Sequence, residues 1–439
     1  MAAIDPRSPR GTAAPALVRS IGRWSLTAAI VNAVVGSAIF GMPASVAALT
    51  GAWSPLAVLA AGVGMFPIVL CFAEVGSRFD AAGGPYLYAR EAFGRVTGFH
   101  VGWLMLWTRL LSGGAVLNVM VTYLAQLVPW VGTTAGRVTT MTAAVALVTG
   151  INVVGVRQGA WTVNVFTVAK LLPLLLLVAL GALGLDRAVL ATQVVAAPDW
   201  TEAVLLLVFA YGGFEAAMSA AGETRRPRED TAFALVLAML AITAVYAATQ
   251  LAVVGLLPDA AASKAPVADA LAVAMPGGLV LGSVAAVIST YGWLTGFALL
   301  VPRVPYAMAE RGELPAVLGR VHAGFRTPHV SIVLCSVVIL ALGLYGSFAA
   351  TATLSAISRL IVYGVTCAGL FALRRPGAPA AGWLLPGGRA MAVLGIAFTL
   401  WLLSTRSFAQ AWLVGAIIVA GALVHWGMAR TTRGMPVAS

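Results

Sequence analysis

Two glycine-centred clusters give this sequence backbone chemistry of its own. Gly36-Ser37-Ala38-Ile39-Phe40-Gly41, with Pro43 just beyond, and Tyr211-Gly212-Gly213 each lie in the middle of a long apolar run. Glycine favours unwinding and proline removes a donor, so each run is expected to be a helix broken at its centre. A break leaves N–H groups at the start of the following half-helix and C=O groups at the end of the preceding one, with opposite polarity. Amides near Ser37 and Ala38 could hold a carboxylate, while carbonyls near Val34, Val35, Phe209, Ala210 and Gly212 could hold an ammonium. A zwitterionic α-amino acid held by backbone at residues 36–40 and 209–213, Gly213 included, matches both poles. Close helix packing is the competing use of a glycine in an apolar helix. The matching positions of the two clusters favour the binding site.

Side chains able to carry charge are few. Lys170, Glu215, Arg109 and Arg359 fall inside apolar runs, where each costs about 2.5–3.5 kcal/mol at mid-membrane and so needs a partner or water. Glu215, about one turn beyond Gly212, could relay protons or bond the unwound first span. Arg109 and Arg359 are expected to pair with helix carbonyls or with neighbours such as Asn118 and Ser355. Glu74, near Arg78 and Arg90, offers either an inner-gate ion pair or an interfacial anchor. The four histidines and three cysteines show no ligand spacing, so neither a metal nor another cofactor is expected. There is no phosphate-binding glycine loop, which argues against ATP as the energy source, and no nucleophile elbow. An embedded enzyme would need clustered His, Asp or Glu on facing spans, which these charges do not supply.

The elements that must position these groups follow from composition. Of 439 residues, 60% are hydrophobic and 10% charged, against about 25% charged in a soluble domain. A soluble globule is excluded, and the lipid bilayer must be the solvent. The net charge of +12 would suggest nucleic acid in a soluble chain, but here the basic residues occupy short gaps between apolar runs, which is topology information. No charge occurs between Arg23 and Glu74, room for two helices with a turn at 51–55. Further runs near 99–128, 138–156, 159–184, 203–222, 231–257, 277–302, 330–346, 351–373, 390–405 and 408–429 bring the expectation to about twelve transmembrane helices. With the N-terminus inside, 20 of the 27 Lys and Arg residues fall on the inner side, so both termini are expected in the cytoplasm.

Gly36 and Gly212 are 176 positions apart, and each opens a set of five spans. The expected architecture is therefore an all-α integral membrane protein with an inverted five-plus-five broken-helix repeat and two added C-terminal helices. In residues, that is a disordered tail over 1–22, a first repeat over 23–185, a second over 200–373, two further helices over 388–429 and a tail over 430–439. A turn followed by a short interfacial helix is expected over 83–98.

Gly36-Ser37-Ala38-Ile39-Phe40 with Pro43 resembles the GSGIF..P signature of amino acid-polyamine-organocation (APC) transporters. Ala73-Glu74-Val75-Gly76-Ser77-Arg78-Phe79 with Gly83-Gly84-Pro85-Tyr86 is similar to that family's stretch after span 2. So is Phe209-Ala210-Tyr211-Gly212-Gly213-Phe214-Glu215 with Gly222-Glu223-Thr224, in span 6 and its exit. Pro302-Arg303 through Tyr306-Ala307-Met308-Ala309 to Arg326-Thr327-Pro328 resembles the loop after span 8. Ala38 departs from the usual second glycine, and its methyl narrows the approach to the backbone.

The resemblance implies a leucine-transporter-like fold in the cell membrane and secondary active transport of amino acids by alternating access, with Phe209 as an aromatic lid. It also implies that Lys170 occupies the place where sodium-coupled relatives of the fold bind their ion. There its ammonium would meet the Gly36-side carbonyls and Ser289 or Thr290. A permanently charged brace is the other reading of Lys170. Proton symport is the leading expectation, obligate amino acid exchange the alternative, and a non-transporting receptor a third.

Overall fold

The computed structural model describes residues 22–79, 83–155, 160–217, 224 and 226–433. The expected N-terminal tail, apart from its last residue, and the final residues of the C-terminal tail lie outside them, as do Gly222 and Glu223 at the exit of span 6. The described chain is helical, in the order α1 (Arg23–Val34), α2 (Ala38–Thr50), α3 (Ser54–Gly76), α4 (Gly84–Phe93), α5 (Arg95–Leu127), α6 (Thr134–Val154), α7 (Ala160–Gly184), α8 (Arg187–Thr192) and α9 (Trp200–Tyr211). It continues with α10 (Phe214–Ala217), α11 (Pro227–Leu256), α12 (Pro266–Ala274), α13 (Gly278–Leu300), α14 (Arg303–Glu310), α15 (His329–Tyr345), α16 (Phe348–Leu373), α17 (Gly388–Ser404) and α18 (Phe408–Arg433). Seven helical stretches among the described residues are long and apolar enough to cross a membrane, which makes this a multi-pass membrane protein.

Polar caps sit where these helices leave the apolar region. Thr133 accepts from Gly136 N at the start of α6, Asp199 from Glu202 N at the start of α9, and Ser347 from Ala350 N at the start of α16. Each satisfies an amide that has no carbonyl one turn back. Gly155, in the left-handed region, ends α6.

The first interruption is narrower than its sequence suggests. Only Val35, Gly36 and Ser37 separate α1 from α2; the helix resumes at Ala38 and runs through Gly41 and Pro43. Pro43 lies in the second turn, so the one amide bond it removes leaves the rest of the helix intact. The second interruption is Gly212 and Gly213, the latter at φ +120, a backbone conformation that favours glycine. The expected short helix near 83–98 is α4, and α5 begins at Arg95, four residues before its expected start.

Around the two breaks α1 packs on α11 and α10, α2 and α16 pack on α9, and α13 and α16 pack on α5. Both breaks are thereby enclosed by long helices.

Candidate functional site

A cavity of about 260 Å3 lies at the two breaks. Its wall includes Val34, Gly36, Ser37 and Ala38 from the first interruption and Phe209, Gly212, Gly213 and Glu215 from the second. Lys170 of α7 and Ser289 of α13 complete the predicted residues found there. Val35, Ala210 and Thr290 are buried just outside the wall, and Thr290 Oγ1 donates to its own helix at Ala286 O and Val287 O.

On α5 and α13 the lining extends beyond the predicted Ser289. Arg109, Ser112 and Val116 of α5, and Ser289, Gly292, Trp293, Gly296 and Leu300 of α13, all line the cavity. Steps of three and four residues place each set on one helix face. A stripe of small and polar residues inside an apolar helix is the signal that could have found them. Leu300, at the C-terminal end of α13, is 51% exposed. Phe209 packs edge-on against Phe348, with ring centroids 6.2 Å apart. Tyr123 donates to Phe40 O over 2.7 Å.

The amides of Ser37, Ala38 and Ile39 follow the break at the head of α2, whereas Phe40 N and Gly41 N already donate to Ser37 O, each at 3.1 Å. On the carbonyl side, Tyr246 of α11 donates to both Val34 O (3.0 Å) and Ala210 O (3.2 Å). One hydroxyl thus bridges the two interrupted helices. Gly212 N donates to Phe209 O over 3.2 Å. Three of the five carbonyls expected to hold an ammonium therefore already accept one bond, with a second lone pair left.

Lys170 is 6% exposed, and its Nζ donates to Asn32 O over 2.7 Å. The contact is one turn earlier on α1 than the Gly36-side carbonyls expected to receive it, and neither Ser289 nor Thr290 is its partner. Ser289 Oγ has no hydrogen-bond partner.

Arg359 corrects one expectation, and Glu215 takes one of its two expected courses out of play by bonding its own break. Arg359 Nη1 pairs with Glu215 Oε1 at 3.0 Å, both side chains being buried, whereas Arg359 was expected to use carbonyls or polar neighbours. Tyr363 donates to Glu215 Oε2 over 3.1 Å, and Gly213 N donates to the same oxygen over 2.9 Å. Glu215 therefore fixes its own break to α16 rather than bonding the first span. Ser355 bonds Ser112 and Thr108 O across to α5. Ser355, Arg359 and Tyr363 recur every four residues along one face of α16. Asn118 bonds Arg137, not Arg109.

Glu74 lies apart from the cavity. Its carboxylate pairs with Arg78 at 2.8 Å and with Arg374, while Arg90 donates instead to Tyr86.

The amino acid permease family matches this chain over residues 21–429. The chain is 28% identical over 330 residues to the serine/threonine exchanger SteT of Bacillus subtilis, covering 72% of this chain and 74% of that protein. It is 28% identical over 388 residues to the human Asc-type amino acid transporter 1, covering 82% and 72%. A methylthioribose transporter of Bacillus subtilis is 27% identical over 347 residues, covering 71% and 72%.

Proposed function

The chain belongs to the amino acid permease family, and from that premise we propose that it carries an α-amino acid across the membrane by alternating access, coupled to protons. The observation that carries the reading is a single cavity walled by both helix breaks, with Lys170 bonded to the last turn of α1 at its side. The substrate carboxylate docks on the amides opening α2 at Ser37 and Ala38. Its ammonium docks on the free lone pairs of carbonyls at residues 34–35 and 209–212. The side chain points along α13, where Gly292 and Gly296 leave room.

In this reading the fold is a twelve-helix, inverted five-plus-five repeat, residues 23–185 and 200–373, with α17 and α18 added. Both termini are cytoplasmic, so the Leu300 end of the cavity opens inward and Phe209 with Phe348 closes it from outside. Glu74 latches the inner end of α3.

Protonated Lys170 makes a charge-assisted bond to Asn32 O, about twice as strong as a neutral one. That bond ties α7 to α1 in the substrate-ready state. Losing the proton weakens the tie, frees the end of α1 to move and releases the ligand inward. Exchange is the second reading, supported by the exchange activity that the name of the Bacillus subtilis serine/threonine relative states.

Proteoliposomes test the choice. Symport predicts accumulation of labelled amino acid into empty vesicles under an acid-outside gradient. Uptake only into vesicles preloaded with amino acid, indifferent to the gradient, would establish exchange instead.

A further inference from the structure

A second cavity, of about 350 Å3, lies where α3, α16 and α17 end together, away from the two breaks. Arg78, Arg374, Arg375 and Arg389 all line it. Two of these arginines are built in around one carboxylate. Glu74, fully buried, accepts from Arg78 Nη2 and Arg374 Nε, each at 2.8 Å, and from Leu385 N at 3.1 Å. Arg78 Nη1 also donates to Pro379 O (2.8 Å) and Arg374 Nη2 to Leu385 O (2.9 Å). The segment joining α16 to α17 is thus folded onto the end of α3 by charge. Gly388 permits this closeness, because a Cβ there would run into the Arg374 guanidinium and the Glu74 carboxylate.

Four guanidinium groups against one carboxylate leave a surplus of three positive charges. Arg375 and Arg389 are exposed, and neither has an acidic partner among the described residues. Arg78, itself 8% exposed, keeps a buried Nε with no hydrogen-bond partner. Preorganised guanidinium forks facing a cavity at a helix-end boundary suit the oxygens of a phosphate group. Leu384, on the same wall and 64% exposed, gives the mouth an apolar rim.

We infer that this cavity is a binding site for the phosphate of an anionic phospholipid headgroup. The phosphate sits among the arginines and the acyl chains lie along the rim at Leu384 and the adjoining helices. A basic pocket between helix ends is the form such recognition takes at a membrane surface. Binding there would hold the α16–α17 segment against α3, independently of the transported substrate.

The test uses the full chain in detergent, with native mass spectrometry and thermal unfolding read against added dioctanoyl phosphatidylglycerol. Dioctanoyl phosphatidylcholine and inorganic phosphate serve as comparison probes. Because Arg375 and Arg389 are exposed, Arg375→Gln/Arg389→Gln should fold normally. It should bind phosphatidylglycerol about thirtyfold more weakly, at roughly 1 kcal/mol for each of the two arginines. Arg430→Gln, which removes an arginine stacked on Trp426 outside the cavity, should bind as the unaltered protein does. Equal binding by the double variant overturns the site, as does phosphatidylcholine binding as tightly as phosphatidylglycerol. Inorganic phosphate matching phosphatidylglycerol in affinity overturns the lipid as its source.

Discussion

The side-chain position of Gly212 is occupied by Arg359: a Cβ added to Gly212 would fall within the Arg359 guanidinium. The glycine at the second break is therefore required by a buried arginine from α16 as well as by any ligand. Gly212→Ala should displace Arg359 from Glu215 and lower uptake by about tenfold or more, the loss expected from disturbing a paired buried charge. At Gly36 the nearest contact for a Cβ is Trp293 Cδ1 at 3.1 Å, so Gly36→Ala should cost less than Gly212→Ala. Initial uptake rates normalised to surface protein check the order of the two.

Breaking the Glu215–Arg359 pair from either side leaves one charge buried and unpaired. Arg359→Gln and Glu215→Gln should each destabilise the protein by about 3–5 kcal/mol. The double variant Glu215→Gln/Arg359→Gln should recover part of that loss. Thermal unfolding of the three purified variants checks this. A double variant less stable than both singles would show that the pair is not the unit of stability.

The Glu215–Arg359 pair has no local signature in the sequence, in contrast to the two breaks. The breaks were legible, because a glycine cluster inside an apolar run has local consequences for the backbone, and the structure puts interruptions at 35–37 and 212–213. Their extent was not: whether Ile39, Phe40 and Gly41 are helical depends on packing against Phe348 and Tyr123 from distant helices. Pairings between spans were hidden for the same reason. Arg359 could have met any carbonyl or carboxylate at its depth, and only the rotation of α16 brings it to Glu215. Tyr246 gave no signal, since a tyrosine in an apolar helix is ordinary until two unsatisfied carbonyls converge on it.

Tyr246→Phe removes the hydroxyl shared by Val34 O and Ala210 O. With about 1 kcal/mol for a typical hydrogen bond, KM for substrate should rise about fivefold while expression is kept. Concentration dependence of uptake checks it. An unchanged KM would mean that the bridge does not shape the carbonyl pole of the site.

Lys170→Ala deletes the donor to Asn32 O. Under the proton-coupled reading it should abolish accumulation against a gradient when the exterior is acidified, while exchange into preloaded vesicles persists. Accumulation that still follows the pH gradient in this variant would assign Lys170 a bracing role and move coupling to another group.

Recognition of both ends of an α-amino acid by backbone at the two breaks is tested most directly by thermal unfolding of the purified protein. The common amino acids are screened first, and the best stabiliser is then repeated as its methyl ester and as its N-acetyl derivative. A ligand bound to the folded state raises apparent stability by mass action. Stabilisation is expected from the parent amino acid and from neither derivative, because each lacks one of the two charges that the opposed helix ends receive. Equal stabilisation by the ester or the N-acetyl compound would contradict it.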